Sequence, residues 1–297
     1  MSDLAERLQA MIPRFRGRRV MVVGDFVADR YLLAEPARLS REAPVIVTRE
    51  VGEEMILGGA ANAVHNLVAL GAEVVPIGAV GEDAAGEALI AGLAERGMDV
   101  SGVVIDAAYS TVCKTRVMVG DSDRMKQQVL RIDREPPGPP REECRAALLA
   151  AVRRHLADVE AVLLSDYGYG VVDSGTLETL LAAPRECVVT ADSRYEVASL
   201  RGVSLATPNE GELEDALGIR IRSEADLDTA GWTLLDVIGA SALLVTRGNR
   251  GMSLFARGEP RRDIPATGSS QVTDVSGAGD TVIAVATLAL AAGASMI

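Results

Sequence analysis

A run of small residues that ends in a carboxylate lies near the end of the sequence, Gly277-Ala-Gly-Asp280. Gly277, Ala278 and Gly279 let backbone approach a ligand closely, and amides at the start of a following helix favour an anion. A carboxylate repels a phosphate, so Asp280 is better explained as the acceptor of a proton from a hydroxyl that attacks a phosphoryl group. A helix cap followed by a turn of small residues has the same pattern and stays open.

The elements that must position this run alternate between apolar strands and helices. Strands are predicted over 19–25, 73–80, 161–165, 187–191, 203–206 and 242–246, and helices over 59–70, 83–96, 141–155, 174–181, 210–217 and 225–238. This alternation predicts an α/β fold whose sheet is covered by helices on both faces. The uncharged run 281–297 is short for a bilayer span, so it is interpreted as a buried helix.

Two stretches do not fit the alternation. Residues 31–51 have no helical period and contain Pro36 and Pro44, and residues 111–133 carry two β-branched runs separated by a polar break. We expect the two stretches to form a small sheet outside the main one. The proline-rich segment 136–140 then leads back into the main domain as a hinge.

The composition excludes several classes of function. Two histidines, and three cysteines without a CxxC pair, do not provide a histidine-rich zinc site, an iron–sulfur cluster or a disulfide framework. A net charge of −12 and 3% aromatic residues disfavour nucleic-acid binding. Because no signal-peptide core or membrane segment is evident, we expect a cytoplasmic protein without a membrane partner. Any bound phosphate must be held by backbone amides, a few cations or a metal.

Three segments resemble signatures of the ribokinase (PfkB) family of carbohydrate kinases: Asp274-Val-Ser-Gly-Ala-Gly-Asp280, Gly58-Gly-Ala-Ala-Asn62 and Val23-Gly-Asp25. The resemblance implies a ribokinase-like three-layer αβα sandwich with a mostly parallel central sheet and a small β-lid over the sugar. It implies one kinase domain over 1–297, with lid segments at about 31–51 and 111–133. It also implies that Asp280 is the catalytic base and that the preceding backbone forms an anion hole.

Further segments narrow the resemblance to the bacterial heptose 7-phosphate kinases of this family. They follow in order at 24–31, 38–45, 114–116, 128–133, 164–167 and 207–209. The resemblance implies ATP-dependent phosphorylation of the anomeric hydroxyl of D-glycero-β-D-manno-heptose 7-phosphate. It implies Mg²⁺ as a cofactor, allows a monovalent cation, and implies a homodimer formed through the lid.

A sugar phosphate is both polyhydroxylated and anionic, so its site needs carboxylates or amides together with cations. The resemblance brings Gly58, Gly59, Asn62 and Asp25 to the sugar, and Asp29 is a further candidate for its hydroxyls. Candidates for the phosphate are Arg38, Lys114, Arg116 and Arg131. Lys114 and Arg116 alternate on a predicted strand and therefore share one face.

The nucleotide half is assigned by resemblance to two motifs and one aspartate. The residues are Asp192, Asn209, Glu212, Thr246, Arg247, Gly248 and Gly251. Asn209-Glu-Gly-Glu212 resembles an N-x-x-E motif linked to Mg²⁺ and phosphate, in which Glu212 acts through water. Thr246–Gly251 resembles a T-x-G-x-x-G turn that approaches ATP, although such turns also form hairpins. Arg247 is a candidate for a phosphate, and an exposed arginine is the equally open alternative.

Three features depart from the heptose kinase pattern. Tyr169 stands where a lysine is expected, and Ser193-Arg194 replaces Pro-Lys after Asp192. We expect both changes to bear on the nucleotide side. The chain ends at Ile297, one helix after the signature, so we also expect a C-terminal segment near the adenine to be missing. The family's separate nucleotidyltransferase domain is absent as well, so synthesis of ADP-heptose by this chain alone is not expected.

Two other functions stay open. The same chemistry could act on another small sugar or a nucleoside. A non-catalytic protein that binds a sugar or a nucleotide would gain stability from its ligand without releasing ADP. The sequence contains no GxSxG, GxxxxGK[ST] or GxGxxG motif, which argues against serine hydrolases, P-loop enzymes and dinucleotide-binding folds. The expected partners are therefore small molecules.

Overall fold

A mostly parallel β-sheet lies at the centre of the computed structural model, which describes residues 3–121, 126–182, 187–267 and 277–296. The strands are β1 (Arg19–Gly24), β2 (Phe26–Leu39), β3 (Ile46–Gly59), β4 (Glu73–Gly81), β5 (Val103–Asp106), β6 (Val112–Val119), β7 (Gln127–Arg134), β8 (Ala161–Asp166), β9 (Val188–Ser193), β10 (Leu205–Ala206), β11 (Ala242–Thr246), β12 (Met252–Ala256) and β13 (Arg262–Ile264). The α-helices are α1 (Asp3–Met11), α2 (Ala60–Ala69), α3 (Ala84–Ala94), α4 (Glu142–His155), α5 (Ser174–Leu181), α6 (Glu210–Leu217), α7 (Glu224–Ile238) and α8 (Ala278–Ala291).

The main sheet has the strand order β13-β12-β11-β10-β9-β8-β1-β4-β5. Neighbouring strands from β11 to β5 run parallel, while β12 and β13 continue the sheet with antiparallel pairings. The hairpin of β11 and β12 is the alternative that was open for the glycine-rich segment Thr246–Gly251. Gly251 has φ +86°, and a Cβ at this position would overlap the carbonyl oxygen of Ile264, so the turn requires glycine here.

The central strands are buried on both faces. Along β1, Val20 and Val22 belong to a core with α2, α3 and α8, whereas Met21 and Val23 belong to a core with α4 to α7. Successive side chains of a strand point to opposite faces, so an uninterrupted apolar run is buried on both. The arrangement is the predicted three-layer αβα sandwich.

The apolar run near the C-terminus forms α8. This helix buries Ile283, Ala284 and Leu288 in the core that it shares with α2. Its interpretation as a buried helix is confirmed. Among the helices of the described residues, none combines the length and the hydropathy that crossing a membrane requires.

A second sheet, called the lid below, has four strands in the order β3-β2-β6-β7. Its long strands β2 and β3 pair antiparallel from Phe26 opposite Gly59 to Leu39 opposite Ile46, and β6 runs parallel to β2. The lid strands therefore start before residue 31 and continue past residue 51. Phe26 and Ala28 explain the extension, because both are buried in the core beneath the lid.

The parallel strands end at one common edge of the main sheet, called the carboxyl edge below. The segments that leave β1, β8, β9 and β11 at this edge carry Asp25, Tyr167, Arg194 and Arg247, respectively. Helix α8 begins on the same side, because Asp280 in its first turn contacts Tyr167. In parallel sheets, ligands bind at this edge, so the topology brings together most of the segments singled out in the sequence.

Candidate active site

A cleft of about 320 Å³ lies between the lid and the carboxyl edge. Its walls contain nine of the residues assigned to the site from the sequence: Asp29, Gly58, Gly59, Asn62, Lys114, Arg116, Arg131, Gly277 and Asp280. Three polar side chains that had not been assigned to the sugar side also line it, namely Tyr31, Tyr167 and Arg194. Carboxylates, amides and cations from both sheets therefore face one cavity.

The start of α8 forms one end of the cleft. Gly277 is the N-cap residue with φ +74°, and a Cβ here would lie 2.6 Å from Nδ2 of Asn62, so only glycine fits this position. Within the described residues no side chain caps this helix, and Ala278 and Gly279 are exposed. Open backbone amides at a helix start suit an anion. Asp274, Val275 and Ser276 of the signature lie outside the described residues.

Asp280 is buried in the first turn of α8 and touches two hydrogen-bond donors. Nδ2 of Asn62 donates to its Oδ2 at 2.7 Å, and the hydroxyl of Tyr167 donates to its Oδ1 at 3.0 Å. Burial raises the pKa of Asp280, while the two hydrogen bonds act in the opposite direction. The side chain is thus a carboxylate of increased basicity held in fixed orientation, which suits a general base.

The four cations of the cleft differ in what they contact. Arg116 forms an ion pair with Asp29, and Arg131 forms a bidentate pair with Asp133 at 2.9 Å. Lys114 and Arg194 form no ion pair with any residue in the described parts of the chain; Nζ of Lys114 lies 5.5 Å from the ring centroid of Tyr167. Burial lowers the pKa of Lys114, and the neighbouring charge of Arg194 adds to this effect.

Asp25 does not reach the cleft wall. Its side chain is 1% exposed, and it accepts backbone N–H bonds from Tyr167 at 2.8 Å, Tyr169 at 3.1 Å and Val171 at 3.2 Å. Burial raises the pKa of Asp25 to about 6 in spite of these bonds. The carboxylate assigned to sugar hydroxyls instead anchors the loop that carries Tyr167.

Arg38 is likewise not brought to the cleft. It is exposed near the outer end of β2, where it pairs with Val47 of β3. The long lid strands carry it away from the residues that line the cavity. Its assignment to the substrate phosphate has no support in this arrangement of the chain.

The N-x-x-E motif forms a capping box at the start of α6. The backbone N–H of Glu212 donates to Oδ1 of Asn209 at 2.9 Å, and the N–H of Asn209 donates to Oε2 of Glu212 at 2.8 Å. The spacing of the two residues thus has a structural reason. Burial raises the pKa of Glu212, because it disfavours the charged carboxylate. A cation beside this carboxylate would stabilise its charged form.

Asp192 follows the buried part of β9 and accepts a hydrogen bond from the hydroxyl of Thr207 at 3.2 Å. Burial raises its pKa to about 7, and the carboxylates of Glu212 and Asp280 contribute. A cation near these carboxylates would offset their repulsion. The described residues contain no group of three or more His, Cys, Asp or Glu that could enclose a metal. The donor set fits Mg²⁺, which keeps water and nucleotide phosphates as ligands and needs few carboxylates.

The side chain of Arg247, a candidate for a phosphate contact, forms ion pairs and a hydrogen bond within the fold instead. Its Nε contacts Glu210 at 2.9 Å, and its other nitrogens contact Glu224 and the hydroxyl of Ser253. The guanidinium is buried and its donors are used to join α6, α7 and β12. The alternative of an exposed arginine is therefore wrong, and these contacts give the expected phosphate contact no support. Two other residues of the motif are placed differently. Gly248 has open space around it, which leaves room for a ligand in this turn. The backbone N–H of Thr246 donates to the carbonyl oxygen of Pro208.

The two substitutions relative to the heptose kinase pattern lie in different places. The hydroxyl of Tyr169 donates to Glu135 at 2.8 Å and lines a second cavity of about 490 Å³ beside the cleft. Ser193 donates to Asp166 at 2.6 Å, whereas Arg194 faces the cleft. Arg194 also interacts electrostatically with Glu212 of the N-x-x-E motif, so the expected effect on the nucleotide side stays a prediction. The sequence feature that could have placed Arg194 in the cleft is its position directly after strand β9, at the carboxyl edge.

The chain is similar to curated bacterial proteins over nearly all of its length. It is 39% identical over 298 residues to Bifunctional protein HldE of Pelobacter propionicus and 42% identical over 294 residues to that of Caulobacter vibrioides. The alignments cover 98% and 97% of this chain, but 59% of each relative. The chain therefore spans little more than half the length of the curated relatives it matches.

Solved structures share the fold at lower identity. Phosphofructokinase-2 from Escherichia coli, in complex with substrates and products, superposes with a TM-score of 0.72 at 20% identity, covering 94% of this chain and 88% of that one. Arabidopsis thaliana ribokinase, complexed with ribose and ATP, gives 0.70 at 22% identity, covering 95% and 88%. The profile of the pfkB family carbohydrate kinases matches residues 18–297. Together with the curated relatives, this match shows that the chain belongs to the pfkB family of carbohydrate kinases.

Proposed function

We propose that this chain is an ATP-dependent kinase that phosphorylates the anomeric hydroxyl of D-glycero-β-D-manno-heptose 7-phosphate. The observation that carries the proposal is the buried Asp280 at the open start of α8, facing a cleft that also contains cations. The similarity to the HldE proteins over most of this chain favours the heptose substrate over other sugars.

The proposed phosphoryl transfer assigns a role to each of the main polar groups near the start of α8. Asp280 takes the proton of the attacking hydroxyl, since burial makes its carboxylate more basic. The amides of Gly277 to Gly279 stabilise negative charge that develops on the transferred group. ATP would supply the transferred group, and a bound Mg²⁺ would offset the charge of its phosphates. Asp192 and Glu212 are the residues proposed to face the metal, Glu212 through water. A monovalent cation remains allowed by the family resemblance alone.

Phosphate recognition is proposed to depend on the two cleft cations that have no carboxylate partner in the described residues. Arg116 and Arg131 are already paired with Asp29 and Asp133. Lys114 and Arg194 keep their charge available, and an anion between them would offset the burial and the mutual repulsion that lower the pKa of Lys114. A phosphorylated sugar therefore fits this cleft better than a neutral sugar or a nucleoside does.

We further propose that two copies of the chain associate through their lids. Strand β7 is exposed along its whole length and carries Val129, Leu130 and Ile132, each more than half exposed. Ile46 and Val51 of β3 add exposed apolar surface to the same sheet. Apolar side chains gathered on a single small sheet indicate an interface. The predicted cytoplasmic location stays a prediction.

An ADP-release assay with a panel of sugars tests the function. Heptose 7-phosphate should be turned over, whereas the unphosphorylated heptose, ribose, fructose and nucleosides should be poor substrates. Asp280→Asn, assayed in parallel, controls for contaminating kinases. Preference for an unphosphorylated sugar would overturn the heptose phosphate assignment. Ligand binding measured by calorimetry without any ADP release would favour the non-catalytic alternative.

A further inference from the structure

We propose that Tyr167 is a positioning residue that keeps the carboxylate of Asp280 charged and oriented toward the hydroxyl it deprotonates. The inference rests on the proposed kinase function. Its basis is the place of Tyr167 in the fold, because its side chain contacts both Asp280 and the cleft cation Lys114, while its backbone N–H is bonded to the buried Asp25.

The backbone of Tyr167 is held from below. It directly follows β8, and its N–H donates to the buried carboxylate of Asp25 at 2.8 Å. Two further N–H groups of the same loop, from Tyr169 and Val171, end on Asp25 as well. Three bonds to one buried group leave the loop little freedom, so the Tyr167 side chain enters the cleft from a defined point.

The hydroxyl of Tyr167 completes a two-sided clamp on Asp280. Asn62, on α2, donates to Oδ2 at 2.7 Å, and Tyr167, which follows β8 at the carboxyl edge, donates to Oδ1 at 3.0 Å. One donor on each oxygen fixes the plane of the carboxylate and leaves a lone pair on each oxygen for a substrate proton. Hydrogen bonds to the charged form also favour it.

This support is needed because most of the surroundings disfavour a charged Asp280. Burial and the carboxylate of Asp29 raise its pKa. Asp192 also interacts with it electrostatically. The other charged groups that line the cleft are Lys114, Arg116, Arg131 and Arg194. None of these cations forms an ion pair with Asp280 in the described residues, so Asn62 and Tyr167 are its direct contacts.

The ring of Tyr167 has a second effect on the cleft. Nζ of Lys114 lies over this ring, 5.5 Å from its centroid, rather than against the carboxylate of Asp280. A cation over an aromatic face is attracted without consuming its hydrogen-bond donors. Lys114 consequently stays available to an anionic substrate, and Asp280 stays available to a hydroxyl.

Tyr167→Phe tests the inference, because it removes the hydroxyl and keeps the ring under Lys114. Without this donor the carboxylate of Asp280 should bind a proton more readily. We expect the acid limb of kcat against pH to move by about one pH unit toward higher pH, with little change in KM for the sugar phosphate. The opposite change, 3-fluorotyrosine at position 167, makes the hydroxyl a stronger donor and should move the limb toward lower pH.

Tyr169→Phe is the matched control, since it removes a hydroxyl that donates to Glu135 in the second cavity. The pH profile of Tyr169→Phe should coincide with that of the wild type. Titration of the substrate phosphate affects all variants equally, so it cannot produce a difference between their profiles. A Tyr167→Phe profile that coincides with the wild type overturns the inference, as does an equal shift in Tyr169→Phe.

A readout that does not depend on turnover separates this inference from the proposed function. Carbon-13 NMR of labelled aspartate follows the titration of Asp280, whose signal is assigned by its loss in Asp280→Asn. In Tyr167→Phe the midpoint should move toward higher pH even if heptose 7-phosphate proves not to be the substrate. An unchanged midpoint would refute the role of Tyr167, and absence of turnover by the wild type on every sugar would refute only the kinase proposal.

Discussion

The carboxylate of Asp25 lies beneath the loop that carries Tyr167 and accepts its backbone N–H at 2.8 Å. The proposed base, Asp280, accepts a hydrogen bond from the hydroxyl of the same tyrosine at 3.0 Å. A group buried below the cleft is therefore connected to a group inside it through one residue. The protonation of Asp25 consequently bears on the stability of the loop beside the base.

The first prediction concerns the pH dependence of stability. The pKa of Asp25 is raised to about 6 in the folded chain, against about 3.9 when unfolded. The folded state thus binds this proton more tightly, and the associated stability is lost as pH rises through about 6. Asp25→Asn cannot titrate, so the unfolding temperature of the wild type relative to this variant should fall between pH 5 and 7.5. A pH-independent difference in scanning calorimetry would contradict the assignment.

The second prediction concerns catalysis by Asp280. Asp280→Asn keeps the size and one acceptor of the side chain but removes the base, so kcat should fall by about 10²–10⁴-fold. Binding of the sugar phosphate, measured by calorimetry, should stay within a few-fold of the wild type. Full activity in this variant would exclude Asp280 as the proton acceptor.

The third prediction separates the cations of the cleft. Lys114→Gln and Arg194→Gln each remove a charge that has no carboxylate partner in the described residues, and each should raise KM for the sugar phosphate by about 10–100-fold. Arg131→Gln is the control, because Arg131 is already paired with Asp133, and its effect should be smaller. An equal increase in KM for phosphorylated and unphosphorylated sugars would show that these residues do not bind the phosphate.

Sequence reasoning succeeded where local patterns decide the structure. Buried strands such as β8 and β11, and helices such as α6, follow from apolar runs, caps and glycines that lie within a few residues of one another. Asn62 and Asp280, 218 residues apart, were placed in one site only by their resemblance to family motifs.

Side-chain direction decided the remaining cases, and it depends on distant partners. Asp25 points inward because three N–H groups of a later loop need an acceptor. Arg247 points away from the cleft because Glu210 and Glu224 lie beside it. The partners of Asp25 and of Arg247 are distant in sequence, so the residue type alone could not distinguish a ligand-binding role from a structural one.

The fourth prediction concerns association through the lid. Leu130→Arg places a charge on the exposed strand β7 and should convert a dimer into a monomer, as measured by analytical ultracentrifugation. Val237→Arg is a matched control, since Val237 is also exposed but lies on α7, away from the lid. A wild-type chain that is monomeric at all concentrations would rule out the lid interface.

The last prediction tests the structural role of Arg247. Its guanidinium is buried between Glu210 and Glu224, and removing one partner of a buried ion pair leaves charges uncompensated. Glu224 is 62% exposed and stays solvated without its partner, so Arg247→Ala should lower the free energy of unfolding by about 1–3 kcal/mol, measured by urea denaturation. Arg220→Ala, which breaks the exposed pair with Glu214, should have a much smaller effect. The KM for ATP should be little changed in folded Arg247→Ala, whereas a large increase without loss of stability would restore Arg247 as a phosphate ligand.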